Sequence, residues 1–272
     1  MVSIAYDASE GAVRRDASAE GRVGIDRWIF VLMAAWFIVL ILAGFIPDSL
    51  RKIAAVQSGA RPPFPMILHL HAVLMGSFLA LLLGQSWLIA TGRRGLHMQL
   101  GLVSLILVPA IVVVGFMLVP TMYHELMQSA QTAAPDARAK MQAAIARREN
   151  ILLIQLRMGL LFPLFVVIGL LARRHDSGLH RRMMFLGTAV TLSTGIDRMT
   201  WLPNTFPVSP LGPDLYTLAA VAPMFLWDVV RQGGVHRAYL IWFAVAMVPT
   251  IAVHGLWNTA WWHAASHQLL GG

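Results

Sequence analysis

Cysteine is absent from all 272 residues, which excludes disulfides, thiolate metal sites, iron–sulfur clusters and c-type haem attached through thioethers. Charge is scarce as well: Asp, Glu, Lys and Arg make up 12% of the chain, against roughly a quarter in soluble domains. No Gly-rich phosphate loop with its lysine is present, which disfavours a nucleotide-driven machine. No Gly-x-Ser-x-Gly supplies a hydrolase nucleophile. What fills the chain instead is apolar: 57% of residues are hydrophobic and the mean hydropathy is +0.66. A chain of this make-up is dissolved in lipid.

Crossing about 30 Å of hydrocarbon takes roughly 20 apolar residues. Such runs occur at residues 28–46, 66–90, 98–119, 151–172, 183–202, 215–230 and 238–257. The sequence therefore predicts an all-α polytopic transmembrane bundle of about seven helices over residues 27–262. Residues 1–26 read as a flexible cytoplasmic tail without the apolar core of a secretory signal. Residues 263–272 read as a short external tail, and residues 121–150 as an external loop. That loop carries good helix formers over 136–148 and is expected to hold a helix lying on the membrane surface. The fifth and sixth runs contain Thr191, Ser193, Thr194, Asp197, Thr217 and Asp228, so both should be shielded inside the bundle. Pro109, Pro163, Pro223 and Pro249 fall inside spans, which membrane helices tolerate.

The formal charge of +8 and a pI near 11.0 come from arginines in short connections. They are read as topology determinants rather than a nucleic-acid surface. Their distribution favours an inside N-terminus and an outside C-terminus in a bacterial cytoplasmic membrane.

That topology brings ionisable residues to one level near the outer face. His69 and His71 open the second span, Arg157 lies about 9 Å into the fourth, and His124, Asp197 and His254 close other spans. His71, His124, Arg157, Asp197 and His254 form the candidate outer polar cluster. An arginine in hydrocarbon costs roughly 2.5–3.5 kcal/mol on insertion scales and so needs a partner or a task. Asp197 is the natural partner, and the pair is either structural or an anion clamp for a haem propionate, a quinone oxygen or a substrate carboxylate. His69 and His71 point roughly 200° apart on a helix, so one should face the bundle and the other the headgroups. His254 and Asn258 share a face at i and i+4, as do His263 and His267.

At the other end, the arginine-capped runs Ala90 to His97 and Ala172 to His180 echo each other, each with Gly-Leu-His. His97 and His180 could face each other at equal depth, and paired neutral imidazoles are axial ligands of b-type haem.

His71-Ala-Val-Leu-Met-Gly76 with Leu81-Leu-Leu-Gly-Gln85 and Leu88-Ile-Ala90 resembles the second helix of the ascorbate-type transmembrane cytochromes b. Gly95-Leu-His97 with Leu100-Gly101 is similar to the head of their next helix, and Leu179-His180-Arg-Arg182 to that of the later one. The resemblance covers the second to fifth spans, and the chain also resembles uncharacterised bacterial multi-pass membrane proteins. It implies an inner haem b between His97 and His180, with His71 and Arg157 at an outer cofactor site. The outer haem pattern departs here: the fourth span offers Gln155 and Arg157 and no histidine.

Two functions stand open. One is a b-type haem-binding or quinone-linked electron-transfer protein. The other is a haemless transporter, sensor or assembly factor whose outer site takes a small anion or a proton-linked substrate. Whether the chain is an enzyme is left undecided by its residues, as are its catalytic groups and partner proteins.

Overall fold

A computed structural model describes residues 26–131 and 134–271, with the backbone of the first helix traced from Ser3. Of the tail expected over residues 1–26, Met1 and Val2 lie outside the described residues and 3–25 are described by their helical backbone alone. The described residues form ten helices joined by turns and short loops, with no strand among them: α1 (Ser3–Gln57), α2 (Met66–Ala90), α3 (Arg94–Gly101), α4 (Ser104–Gln131), α5 (Arg138–Ala172), α6 (Ser177–Ala189), α7 (Ser193–Ile196), α8 (Leu211–Gln232), α9 (Arg237–Leu256) and α10 (Ala260–Leu269).

Among the described residues, five stretches are long and apolar enough to cross a membrane: Asp26–Gln57, Met66–Ala90, Arg94–Gln131, Arg138–Ala172 and Arg237–Leu256. They leave large apolar side chains bare, Met66 at 81%, Ile106 at 77% and Leu171 at 73% exposure among them. A water-soluble domain does not carry so much apolar surface. The expected fifth span is broken. α6 ends at Ala189 and one turn of α7 follows, yet Thr191 and Ser193 are buried as their polarity requires. α8 keeps Thr217 and Asp228 inside.

The connection expected over residues 121–150 is far shorter. α4 continues to Gln131 and α5 begins at Arg138, because no helix breaker separates the Ala- and Arg-rich stretch from the apolar run after it. The helix foreseen on the membrane surface is instead the start of a 35-residue helix, about 52 Å long.

α5 is the central element. Its Phe165 and Leu161 pack with Phe37 of α1, Met183 of α6 and Met224 of α8. Its Phe162 and Val166 meet Phe78 and Ile111 of α2 and α4. Its Leu152 and Leu153 meet Tyr123, Trp257 and Trp262. Helix ends follow local chemistry. Asp176 caps α6 by accepting from the Leu179 N–H at 2.8 Å, and Thr259 caps α10 by accepting from Trp262 at 3.2 Å. Gly233, at φ 68°, takes the left-handed position that ends α8.

Candidate functional site

Two constellations sit at opposite ends of α5. At its C-terminal end, α3 and α6 begin with the same local design. Arg94-Gly-Leu-His97 and Ser177-Gly-Leu-His180 each place a histidine fourth in its helix. The two imidazole rings lie with centroids 6.4 Å apart and planes at 78°. His180 Nδ1 is 2.8 Å from the carbonyl oxygen of Gly169, which fixes its proton on Nδ1 and leaves Nε2 as a free lone pair. The turn that presents it is held by Asp176, which caps the helix and pairs with Arg237. The Leu179 N–H, then Arg237, hold the Asp176 carboxyl below its ordinary value.

At the other end, α1, α2, α4, α5 and α7 line a half-open chamber of about 910 Å³, within the usual range of ligand pockets. Most of its wall is apolar, from Phe45, Leu79, Val112 and Phe116. Besides hydroxyls, its polar groups are His71, Arg148, Gln155, Asp197 and Arg198. Three of them, His71 Nδ1, Arg148 Nε and Gln155 Oε1, are buried atoms without a hydrogen-bond partner. Each such atom costs about 1–3 kcal/mol if it stays unpaired. Arg198 Nη1 donates to Asp197 Oδ1 at 2.7 Å. Its Nε stands 3.3 Å from Asp48 Oδ2, an ion pair by distance but without hydrogen-bonding alignment, since that nitrogen is also unpartnered.

The expected outer cluster is therefore divided. His71 and Asp197 line the chamber. His71 faces inward and His69 is exposed, as their angular separation requires. Arg157 lies on the opposite face of α5, roughly 200° from Gln155, and its partner is Asp214 rather than Asp197. Its two terminal nitrogens donate to the Asp214 carboxylate at 2.9 and 2.6 Å, and Thr250 accepts a further bond at 3.3 Å. His254 Nε2 contacts Asp214 Oδ2 at 3.0 Å. Asp197 was the nearer candidate in sequence, but it pairs with the adjacent Arg198. His124 joins neither group; its ring stands 6.2 Å from that of Tyr123.

His254 and Asn258 do not share a helical face either, because α9 ends at Leu256 and Asn258 has φ 59°. Asn258 instead pairs with Asn150, whose Nδ2 donates to Asn258 Oδ1 at 2.5 Å. His263 contacts Glu149 Oε2 at 2.6 Å, and Tyr123 donates to Glu149 Oε1 at 3.2 Å.

Sequence reasoning missed Arg148, Asp214, Glu149 and the Arg182–Asp228 pair. For Arg148 a signal existed: it stands seven positions before Gln155, two helical turns along one face. For Asp214, in the first turn of α8, the sequence carried no comparable sign.

Arg157→Lys is expected to cost about 1–2 kcal/mol, because one ammonium cannot make the two parallel bonds of the guanidinium. Thermal unfolding in detergent measures it, and an unchanged midpoint removes any clamp role from Arg157.

These features define an α-helical membrane protein with a histidine pair at one end and an amphipathic chamber at the other. The chain matches no family model, no curated protein and no solved structure.

Proposed function

We propose that the chain is a seven-span electron-transfer protein of a bacterial cytoplasmic membrane, with one b-type haem between His97 and His180. The observation that carries this reading is the 6.4 Å between the ring centroids. At that separation both imidazoles could reach one metal ion, since two bonds of about 2 Å with about 1 Å more to each ring centre would span about 6 Å. A bound haem supplies one-electron transfer. His180 suits the role because Gly169 holds its Nδ1 proton and aims its Nε2 away. Arg93, Arg94, Arg173 and Arg174 flank the pair and have no acidic partner among the described residues, so they are free for propionates.

Seven spans are favoured over five by α8: its first turn meets Arg157 through Asp214 and its end meets Arg182 through Asp228, so a crossing by α8 makes six and requires the broken α6–α7 segment to cross before it as the seventh. Its Leu211, Leu215, Leu218, Leu226 and Val230 form an exposed apolar stripe on 22 residues, about 33 Å long. The arginines beside His97 and His180 favour that end as the cytoplasmic one.

A second reading, a haemless transporter, sensor or assembly factor, draws on Gln85. The amide orientation that satisfies its neighbours accepts from the Gly101 N–H at 3.0 Å and donates to the His97 carbonyl oxygen and Nδ1. In that orientation His97 carries its proton on Nε2. Ligation by His97 requires Gln85 to turn its amide oxygen to the ring.

A reduced-minus-oxidised absorption spectrum of the detergent-purified protein separates the two. A b-type spectrum is expected from the wild type and none from the double His97→Ala, His180→Ala variant. A colourless wild type after expression with ample haem ends the cytochrome reading in favour of the second.

A further inference from the structure

We infer that the chamber between α1, α2, α4 and α5 binds a single-chain anionic amphiphile, its oxyanion head on Arg148 and its tail along the apolar wall. The inference needs the membrane setting but not the haem.

Charge selects the head. Arg148 has no hydrogen bond or ion pair among the described residues, and the charged groups near it are Arg198, Arg147 and Arg61. The acids beside the chamber are already engaged. Asp48 takes Lys52, Arg51 and Arg198, and Asp197 takes Arg198. A guanidinium among cations, facing a cavity, is left for an anion supplied from outside the chain. His71 Nδ1 is a further unpartnered atom in the same chamber. In its neutral form the ring can donate from that nitrogen to a head oxygen. Gln155 Oε1 accepts a head hydroxyl or a bridging water.

Size and shape select the tail. Arg148, Leu152, Gln155, Gly159 and Phe162 line the chamber along one stripe of α5, which runs about 21 Å from first to last. That is the length of about sixteen extended carbons at bond lengths near 1.5 Å. The 910 Å³ holds on the order of thirty non-hydrogen atoms at about 30 Å³ each. One acyl chain with its head fits, whereas a two-chain phospholipid would have to leave its second chain outside. A neutral ring-headed lipid such as a quinone would leave Arg148 uncompensated.

The experiment is retention of tritiated palmitate by the full chain in phosphatidylcholine nanodiscs at alkaline pH, where the carboxylate is ionised, against empty discs. One saturable site per chain is expected, with methyl palmitate competing at least tenfold more weakly than palmitate. Arg148→Gln should weaken palmitate at least tenfold. Gly76→Leu should do the same from the tail side, since Gly76 lines the chamber and a Cβ there meets nothing within 4 Å. Lysophosphatidate as competitor assigns the head, phosphate if it displaces palmitate below palmitate's own concentration and carboxylate if above; either supports the inference. Absence of saturable retention overturns it. So does equal competition by the methyl ester, a result read on wild-type protein and independent of how any variant folds. Retention of palmitate by a haem-free chain leaves the inference standing while the cytochrome reading falls.

Discussion

Asp228→Ala is expected to be among the most damaging single substitutions in the chain, lowering stability by about 3–5 kcal/mol, because it leaves a buried arginine without its anion. Arg182 and Asp228 are nearly sealed from solvent, with side-chain exposures of 3% and 6%. Arg182 Nε donates to Asp228 Oδ2 at 2.7 Å and Nη2 to Oδ1 at 2.5 Å. Its Nη1 holds the Gly178 carbonyl oxygen at 3.0 Å. Tyr239 donates to the same carboxylate at 2.5 Å, so one acid ties α6, α8 and α9 together. The pair as a whole contributes much less than its breakage costs, because two charges had to be desolvated to make it. A double Arg182→Met, Asp228→Leu variant should therefore recover most of the loss, and unfolding midpoints of the three proteins in detergent measure the difference. If Asp228→Ala melts with the wild type, the pair is open to water and does not hold α6 on α8. The substitution also reaches the histidine pair, since Arg182 lies two residues after His180 on the same helix.

That pair shows where sequence legibility stopped. Arg182 follows His180 and Arg181 in a run that reads as a topology signal. Only the fold turns Arg181 to the Phe30 ring and Arg182 inward to Asp228. Both partners were visible, Asp228 as a polar residue in need of shielding, but pairing across forty-six positions is a property of how α6 meets α8. The same holds for Arg157, whose need for an acid was plain from its cost in hydrocarbon, and whose acid is Asp214. What the pattern did carry was angular. The 100° step of a helix separates His69 from His71, places Gln155 opposite Arg157, and puts Arg148 in line with Gln155. The Gly-Leu-His echo is legible for the same reason, since equal spacing from a helix start gives equal height, and His97 and His180 do meet. The extents of α4 and α5 were missed because a polar stretch resembles a loop, although it continues a helix as readily when nothing in it breaks one.

Gly44→Ala should open the bundle where α1 crosses α7. A Cβ on Gly44 would lie 1.9 Å from the Gly195 carbonyl oxygen and 2.7 Å from its carbon. The obstacle is backbone and cannot rotate away. Gly195 is confined too, though less tightly, with a Cβ there 3.1 Å from Cα of Ile41. Paired glycines of this kind let membrane helices approach closely. The added methyl is expected to cost at least the roughly 1–3 kcal/mol of an overpacked core. It should also push α7 outward, separating Arg198 from Asp48 and distorting the chamber wall. Gly84→Ala is the control: a Cβ there meets nothing within 4 Å, and alanine in a helix interior is favoured over glycine by roughly 0.5–1 kcal/mol. Because the chain has no cysteine, Ser49→Cys and Thr200→Cys would carry the only two spin labels in an otherwise unmodified protein. The label separation should lengthen in Gly44→Ala and stay at its wild-type value in Gly84→Ala. Equal separations and equal melting in both variants would mean that α1 and α7 do not touch through these glycines. The ion pairs of Arg198 would then owe nothing to that crossing.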